Sequence, residues 1–130
     1  METLLKLSII GAGGFTGAVL RFLVSSWVQN RSGSITFPFG TMAVNMTGCL
    51  VIGFLTYLVE IRSFFSVEIR SFVLIGLLGA FTTFSTFGNE TLGLIREGRL
   101  DLAAFNAGFQ VITGVGLVWL GRIFASIIWR

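Results

Sequence analysis

Residues 38–59 read PFGTMAVNMTGCLVIGFLTYLV, an apolar stretch that contains no charged side chain. Three further stretches have nearly the same character, at about residues 4–28, 71–95 and 102–128. An apolar helix of about 20 residues is long enough to cross the hydrocarbon core of a bilayer. The sequence therefore predicts an all-α integral membrane protein with four transmembrane helices. Because the loops between them are short, we expect a single membrane domain over residues 1–130.

The overall composition supports a membrane protein and disfavours most other classes. Hydrophobic residues make up 54% of the chain and charged residues 12%, whereas soluble domains carry about 25% charged residues. The chain has no His and a single Cys, so one chain cannot form a His/Cys metal site or a Ser–His or Cys–His catalytic pair. The nine Lys and Arg residues form no basic run. We therefore expect neither an enzyme nor a nucleic-acid partner.

The basic residues are almost evenly divided between the two sides of the membrane. The side with the termini and the second loop carries Lys6, Arg62, Arg70, Arg122 and Arg130. The other side carries Arg21, Arg31, Arg96 and Arg99. Orientation is normally fixed by an excess of Lys and Arg on one side. Two interpretations remain: a few charges decide one orientation, or the chain inserts both ways up and pairs as an antiparallel dimer.

The centre of the third span, GAFTTFSTFG at residues 79–88, is a poor helix centre. It combines glycine with adjacent β-branched threonines and a cluster of hydroxyls. One interpretation is a helix break between Gly79 and Thr83, which frees backbone carbonyls that suit a hard cation such as Na⁺. The other is an intact helix whose hydroxyls bond to the preceding turn.

The remaining polar and aromatic candidates also have two interpretations. Asn45 either joins two helices or donates its amide to a small, strongly hydrated anion. Phe84 and Phe87 share a helix face, where they either pack or present electropositive ring edges to an anion. Arg21 and Glu90 are interfacial anchors or a structural pair. Because no span has an acidic residue at its centre, the residues favour a neutral or small anionic permeant over a proton-coupled cation.

The first three spans each contain a recognisable motif. The first span has GGFTGAVLR at residues 13–21, similar to GGxxGAxxR. Residues 38–48, PFGTMAVNMTG, resemble P-x-G-T-x-x-x-N-x-x-G. Residues 79–90, GAFTTFSTFGNE, resemble G-G-x-T-T-F-S-T-F-x-x-E, with Ala80 in place of the second glycine. These three ordered motifs resemble those of the CrcB/Fluc fluoride channels, and the resemblance extends over the whole chain in length, number of spans and order.

This resemblance implies a passive, fluoride-selective channel that exports F⁻ across a prokaryotic plasma (inner) membrane and relieves fluoride toxicity. It implies an antiparallel, dual-topology homodimer with two pores. It further implies that the third helix is broken near its centre and that the backbone carbonyls of Gly79 and Thr82 hold a structural Na⁺ at the dimer interface.

The motifs also imply an anion pathway. The matching residues are Thr41, Asn45, Phe84, Ser85, Thr86 and Phe87. The family's fourth helix usually contributes Tyr and Ser, whereas this chain has Asn106, Gln110 and Thr113 there. We take Gln110 as the fourth-helix pathway residue. Arg21 and Glu90 are the expected structural polar residues.

Three other functions are weighed against the fluoride channel. A small dual-topology drug exporter requires an acidic residue in mid-span, which the sequence lacks. A structural subunit of a larger membrane complex predicts no ion flux from the purified protein. A membrane enzyme requires a nucleophile or an acid–base set, and none is visible.

Overall fold

The computed structural model describes residues 2–62 and 65–129, and these residues are almost entirely helical. Six α-helices and one π-helical segment follow one another along the chain. They are α1 (Glu2–Ser32), α2 (Phe39–Arg62), α3 (Val67–Arg70), the π-helical segment (Ser71–Leu78), α4 (Gly79–Phe81), α5 (Phe84–Arg96) and α6 (Leu100–Ile128).

These elements form four candidate membrane spans, which confirms the predicted number. The spans are Glu2–Ser32, Phe39–Ile61, Val67–Arg96 and Leu100–Ile128, each long and apolar enough to cross a bilayer. The protein is thus an all-helical, multi-pass membrane protein. The helices extend beyond the predicted limits, because an apolar stretch marks the hydrocarbon crossing and polar residues such as Gln29 and Glu68 continue the helix outside it.

The third span is built from several pieces. Ser66 begins α3 by accepting a hydrogen bond from the Ile69 amide at 3.4 Å. The π-helical segment follows, and α4 ends at Phe81. Thr82 (φ −87°, ψ 161°) and Thr83 (φ −153°, ψ 121°) then have extended backbones before α5 begins at Phe84. We call this two-residue segment the extended step.

Glycines allow two pairs of helices to pack with their backbones in contact. A Cβ atom on Gly53 of α2 would overlap the backbone carbonyl of Val118 on α6, and one on Gly121 of α6 would overlap that of Leu50. We call this contact the α2–α6 seam. A Cβ on Gly13 of α1 would likewise overlap the carbonyl of Phe72 in the π-helical segment. Such close backbone approach by small residues is a usual basis of helix association in lipid.

The loops are fixed by side-chain and backbone hydrogen bonds. Gln29 Nε2 donates to the carbonyls of Ser34 (2.6 Å) and Phe37 (3.1 Å), and its Oε1 accepts from the Gly40 amide at 3.0 Å. Gly98 has φ 74°, which suits glycine at the turn between α5 and α6. Gln29 therefore joins the end of α1 to the start of α2.

Charged residues lie near the ends of the spans. Arg122 of α6 binds both carboxylate oxygens of Glu60 on α2, at 2.6 and 3.3 Å, and its guanidinium lies 5.9 Å from the Tyr57 ring centroid. This contact places Arg122 at the second-loop end of α2, as the charge count assumed. Arg130 of that count lies outside the described residues, as does the side chain of Arg62.

Candidate functional site

Asn45 pairs with the backbone of the extended step. Its Oδ1 accepts from the Thr83 amide at 2.9 Å, and its Nδ2 donates to the Thr83 carbonyl at 3.2 Å. The Thr83 amide is thereby satisfied by α2 instead of by the Gly79 carbonyl four residues earlier. Because unpaired backbone groups are costly in lipid, this two-point contact allows a non-helical segment within an apolar span.

A chain of hydrogen bonds continues from Asn45 onto α6 and α5. Asn45 Nδ2 also donates to Gln110 Oε1 at 2.8 Å, and Gln110 Nε2 donates to Asn106 Oδ1 at 2.9 Å. Asn106 Nδ2 donates to Thr91 Oγ1 at 2.9 Å, and the Thr91 hydroxyl donates to the Phe87 carbonyl at 2.7 Å. We call these four side chains the amide relay. It joins three helices around the extended step.

The two predicted phenylalanines border the same region. Their ring centroids are 5.6 Å apart with an interplanar angle of 44°, so they do share a face. A cavity of about 360 Å³ lies beside them, which we call the inner cavity. The predicted site residues that line it are Asn45, Gly79, Thr82, Phe84, Phe87 and Gln110. The Phe84 side chain is 83% exposed, so the cavity lies at a surface of the single chain.

Thr41 and Glu90 line a second cavity, which we call the outer cavity. Its volume is about 740 Å³, and Gln29, Asn89 and Glu97 contribute further polar groups. Thr41 Oγ1 donates to Glu90 Oε1 at 2.6 Å, whereas Glu90 Oε2 is buried and has no partner among the described residues. Thr41 and Asn45 are four residues apart on α2 and therefore lie on one helix face. One residue of that face therefore lines each cavity.

The remaining third-span hydroxyls begin α5. Thr83 Oγ1 accepts from the Thr86 amide at 3.2 Å and donates to Thr86 Oγ1 at 2.9 Å, an N-cap arrangement. Ser85 and Thr86 are both exposed. They lie beside the two phenylalanines on the first turn of α5, where exposed hydroxyls are available to a ligand.

Backbone oxygens of α4 and the extended step could hold a cation. Gly79 and Thr82 both line the inner cavity. The Thr82 amide and hydroxyl each donate to the Leu78 carbonyl at 3.1 Å. No group of three or more His, Cys, Asp or Glu side chains that could bind a metal occurs in the described part of the chain. Carbonyl oxygens are suitable ligands for a hard cation.

Comparison with known proteins identifies the family of the chain. The family model described as "CrcB-like protein, Camphor Resistance (CrcB)" matches residues 8–122. The chain belongs to the CrcB family. "Fluoride-specific ion channel FluC 1" of Methanosarcina acetivorans is 44% identical over 117 residues, which cover 90% of this chain and 88% of that relative. "Fluoride-specific ion channel FluC" of Maridesulfovibrio salexigens is 44% identical over 125 residues, covering 93% and 98%.

Arg21 and Glu90, the two predicted structural polar residues of this CrcB-family chain, are not partners. Glu90 binds Thr41, and neither ion pair found among the described residues includes Arg21. Within the single chain these two residues form no ion pair with each other, and their role as structural polar residues stays a prediction.

Two residues of the amide relay were not among the predicted site residues, although Asn106 was noted as a polar residue of the fourth span. Asn106 is fully buried, and Thr91 binds it from α5. The four-residue spacing of Asn106 and Gln110 on α6 indicates that their side chains can bond to each other. No comparable sequence signal distinguishes Thr91, because a threonine near the end of a span usually bonds to its own helix.

Proposed function

We propose that this protein is a fluoride-selective passive ion channel, as the names of its relatives suggest. The observation that carries the proposal is the inner cavity, which brings Asn45, Gln110, Phe84 and Phe87 together beside the extended step. Amide donors and ring edges next to a non-helical backbone are suited to an anion within a membrane. CrcB relatives are named as ion channels, and this supports a channel over an enzyme.

Fluoride is small and holds its water tightly, so a path for it must replace lost water with hydrogen-bond donors. Thr41, Asn45, Ser85, Thr86 and Gln110 are the side chains that offer such donors, and the two phenylalanines add their ring edges. The Thr41 hydroxyl and both Asn45 amide hydrogens are paired with protein acceptors. When the path is empty, these protein acceptors keep the buried donors paired. We propose that an entering ion takes the place of those acceptors.

The proposed path runs from the outer cavity to the inner cavity along one face of α2. Thr41, held by Glu90, lies in the first cavity and Asn45 in the second. The cell would benefit because HF enters from acid surroundings and dissociates inside, and a passive path then releases F⁻ down the membrane potential.

Fluoride efflux from liposomes that contain the purified protein tests this function. Asn45→Ala and Phe84→Ile are measured beside the wild type, with chloride efflux as the selectivity control. We expect rapid fluoride release without chloride release, and slower release from both variants. Undiminished release from both variants would reject the pathway, and no release from well-folded wild-type protein would favour a structural subunit.

We propose that the functional unit is an antiparallel homodimer with two pores. Phe84, on the edge of the inner cavity, is 83% exposed in the single chain, so a second copy is needed to enclose the path. The near-even division of Lys and Arg supports insertion in both orientations. We place the dimer in a prokaryotic plasma membrane, because the relatives come from prokaryotes.

Impermeant thiol labelling tests dual topology. Asp101→Cys in a Cys49→Ser background offers an exposed thiol in the first turn of α6, since the Asp101 side chain is 71% exposed. We expect comparable labelling from each side of sealed vesicles. Labelling from one side alone would show a single orientation and remove the antiparallel dimer.

We propose that the carbonyls of Gly79 and Thr82 from two subunits hold a structural Na⁺ at the dimer interface. The geometry of the extended step supports this site. The Thr83 amide bonds to Asn45, so the Gly79 carbonyl lacks the hydrogen bond that it would accept in a continuous helix. A bound Na⁺ would offset the partial negative charge of the carbonyls at the C-terminal end of α4. Its test is the melting temperature in NaCl and in N-methylglucamine chloride: bound Na⁺ raises it, and equal values would contradict the site.

A further inference from the structure

The amide relay has a fixed direction. It begins at the Thr83 amide, which can only donate, and ends at the Phe87 carbonyl, which can only accept. Between these two backbone groups every side-chain amide points its nitrogen toward the next acceptor, from Asn45 through Gln110 and Asn106 to Thr91. Turning any one amide would set oxygen against oxygen or nitrogen against nitrogen. The two backbone groups therefore select one orientation for all three amides.

The far end of the relay does not contact either cavity. Asn106 is fully buried, and neither Asn106 nor Thr91 lines the inner or the outer cavity. Neither residue lines a cavity in which an ion could be held, so both act through their neighbours. The hydrogen bond between them connects α6 and α5.

We propose that Asn106 and Thr91 are positioning residues, which orient Gln110 and through it keep the Asn45 amide paired with the Thr83 backbone. The effect of this positioning role on ion flux rests on the proposed function, whereas its effect on the extended step does not. Without the Thr91 hydroxyl, Asn106 Nδ2 loses its acceptor, and the relay loses its connection to the Phe87 carbonyl. Asn106 Nδ2 then shifts toward another acceptor, and its Oδ1 holds Gln110 Nε2 less firmly. Gln110 in turn holds Asn45 less firmly, so Asn45 leaves Thr83 for a larger part of the time.

The variant Thr91→Val breaks the relay with little change of shape, and Thr91→Ser retains the hydroxyl. The matched control is Thr56→Val on α2. Thr56 also donates to carbonyls of its own helix, at 2.7 and 3.2 Å, but lies outside the relay. A general effect of losing a membrane hydroxyl would appear in Thr56→Val as well.

Hydrogen exchange of the Thr83 amide tests the positioning role without any ion flux. Protein labelled with ¹⁵N-threonine is measured by NMR, and the Thr83 signal is assigned by its loss in Thr83→Ser. We expect exchange about tenfold faster in Thr91→Val and in Asn106→Leu, and unchanged exchange in Thr91→Ser and Thr56→Val. Unchanged exchange in Thr91→Val and Asn106→Leu would overturn the proposal.

A double-mutant cycle tests the consequence for flux. If Thr91 acts through Asn45, Thr91→Val slows fluoride efflux in the wild type but has little further effect in an Asn45→Ala background. Equal effects in both backgrounds would overturn the coupling and indicate a general loss of packing. Absence of efflux from the wild type would count against the proposed function alone, since the exchange measurement still decides whether Asn106 and Thr91 hold the extended step.

Discussion

The α2–α6 seam and the extended step hold helices together by opposite means. At the seam, Gly53 and Gly121 lack side chains, and the backbones of the two helices are in direct contact. At the extended step, side chains from α2, α6 and α5 meet, and each supplies a hydrogen bond that the interrupted backbone or its neighbour needs.

This difference separates stability from function. The seam has no space for an added side-chain atom and contributes no donor to the proposed path. Substitutions there should therefore lower the free energy of unfolding. The extended step depends on which donors meet which acceptors, so isosteric changes there should affect transport more than folding. Helices that pack tightly on glycine provide the rigid frame that an exposed polar segment requires.

The largest effect is expected at the seam. Gly53→Ala places a methyl group against the Val118 carbonyl, and we expect a loss of about 1–3 kcal/mol of unfolding free energy. The matched control is Gly116→Ala on α6, where an added Cβ meets no atom within 4 Å. Reversible unfolding in mixed micelles measures both variants. Equal stability of the two would show that the close approach at Gly53 does not hold the helices together.

The next effect concerns transport. Asn45→Leu removes the side-chain partner of both Thr83 backbone groups. Because Thr83 lines the inner cavity, water can replace part of this bonding, and we expect a smaller loss of stability than at Gly53. We expect fluoride efflux to decrease about tenfold or more, while the protein still purifies as a folded species. The control is Thr47→Val, an exposed hydroxyl on the same helix. A similar decrease in both variants would remove the distinction between the extended step and the rest of α2.

A smaller effect is expected in the loop between α1 and α2. Gln29→Leu removes three part-buried hydrogen bonds that join these helices. We expect a loss of about 1 kcal/mol, the usual net contribution of such bonds, because the groups lie at the rim of the outer cavity, where water can replace part of the bonding. Asn30→Leu, an exposed neighbour, is the control. Unfolding free energies compare the two. A larger loss in Asn30→Leu would contradict the role of Gln29.

The smallest effect is expected for Arg122→Gln. The Glu60–Arg122 contact has short distances but exposed partners, with side chains 55% and 38% exposed, and such pairs contribute little. We expect no measurable change in melting temperature or in fluoride efflux. A clear, salt-dependent decrease in melting temperature would show that this pair contributes to the packing of α2 on α6.

The number of spans was predictable because apolar stretches without charge are specific to membranes, and residues 38–59 alone identify one. The motif residues Asn45, Phe84 and Phe87 were also named in advance, and the structure brings them to one cavity. The partners of these residues were not predictable. That Asn45 binds Thr83 and Gln110, and that Glu90 binds Thr41, depends on contacts between distant segments.

The exact helix ends and the π-helical segment could not be predicted from the sequence either. Gln29 and Glu68 are polar and were expected in loops, yet both are helical, because hydropathy reports the bilayer crossing and not the backbone. Residues 71–78 were expected as ordinary α-helix. Their π-helical form accompanies the close contact of Gly76 with α1, a tertiary contact that no local pattern indicates.

Fluoride efflux at a set membrane potential tests passive, selective conduction most directly. Liposomes are loaded with potassium fluoride or potassium chloride, and valinomycin sets the potential without a pH gradient. The account predicts fluoride release that begins with valinomycin, needs no proton gradient and has no counterpart for chloride. Release that requires a proton gradient, or equal release of chloride, would contradict it.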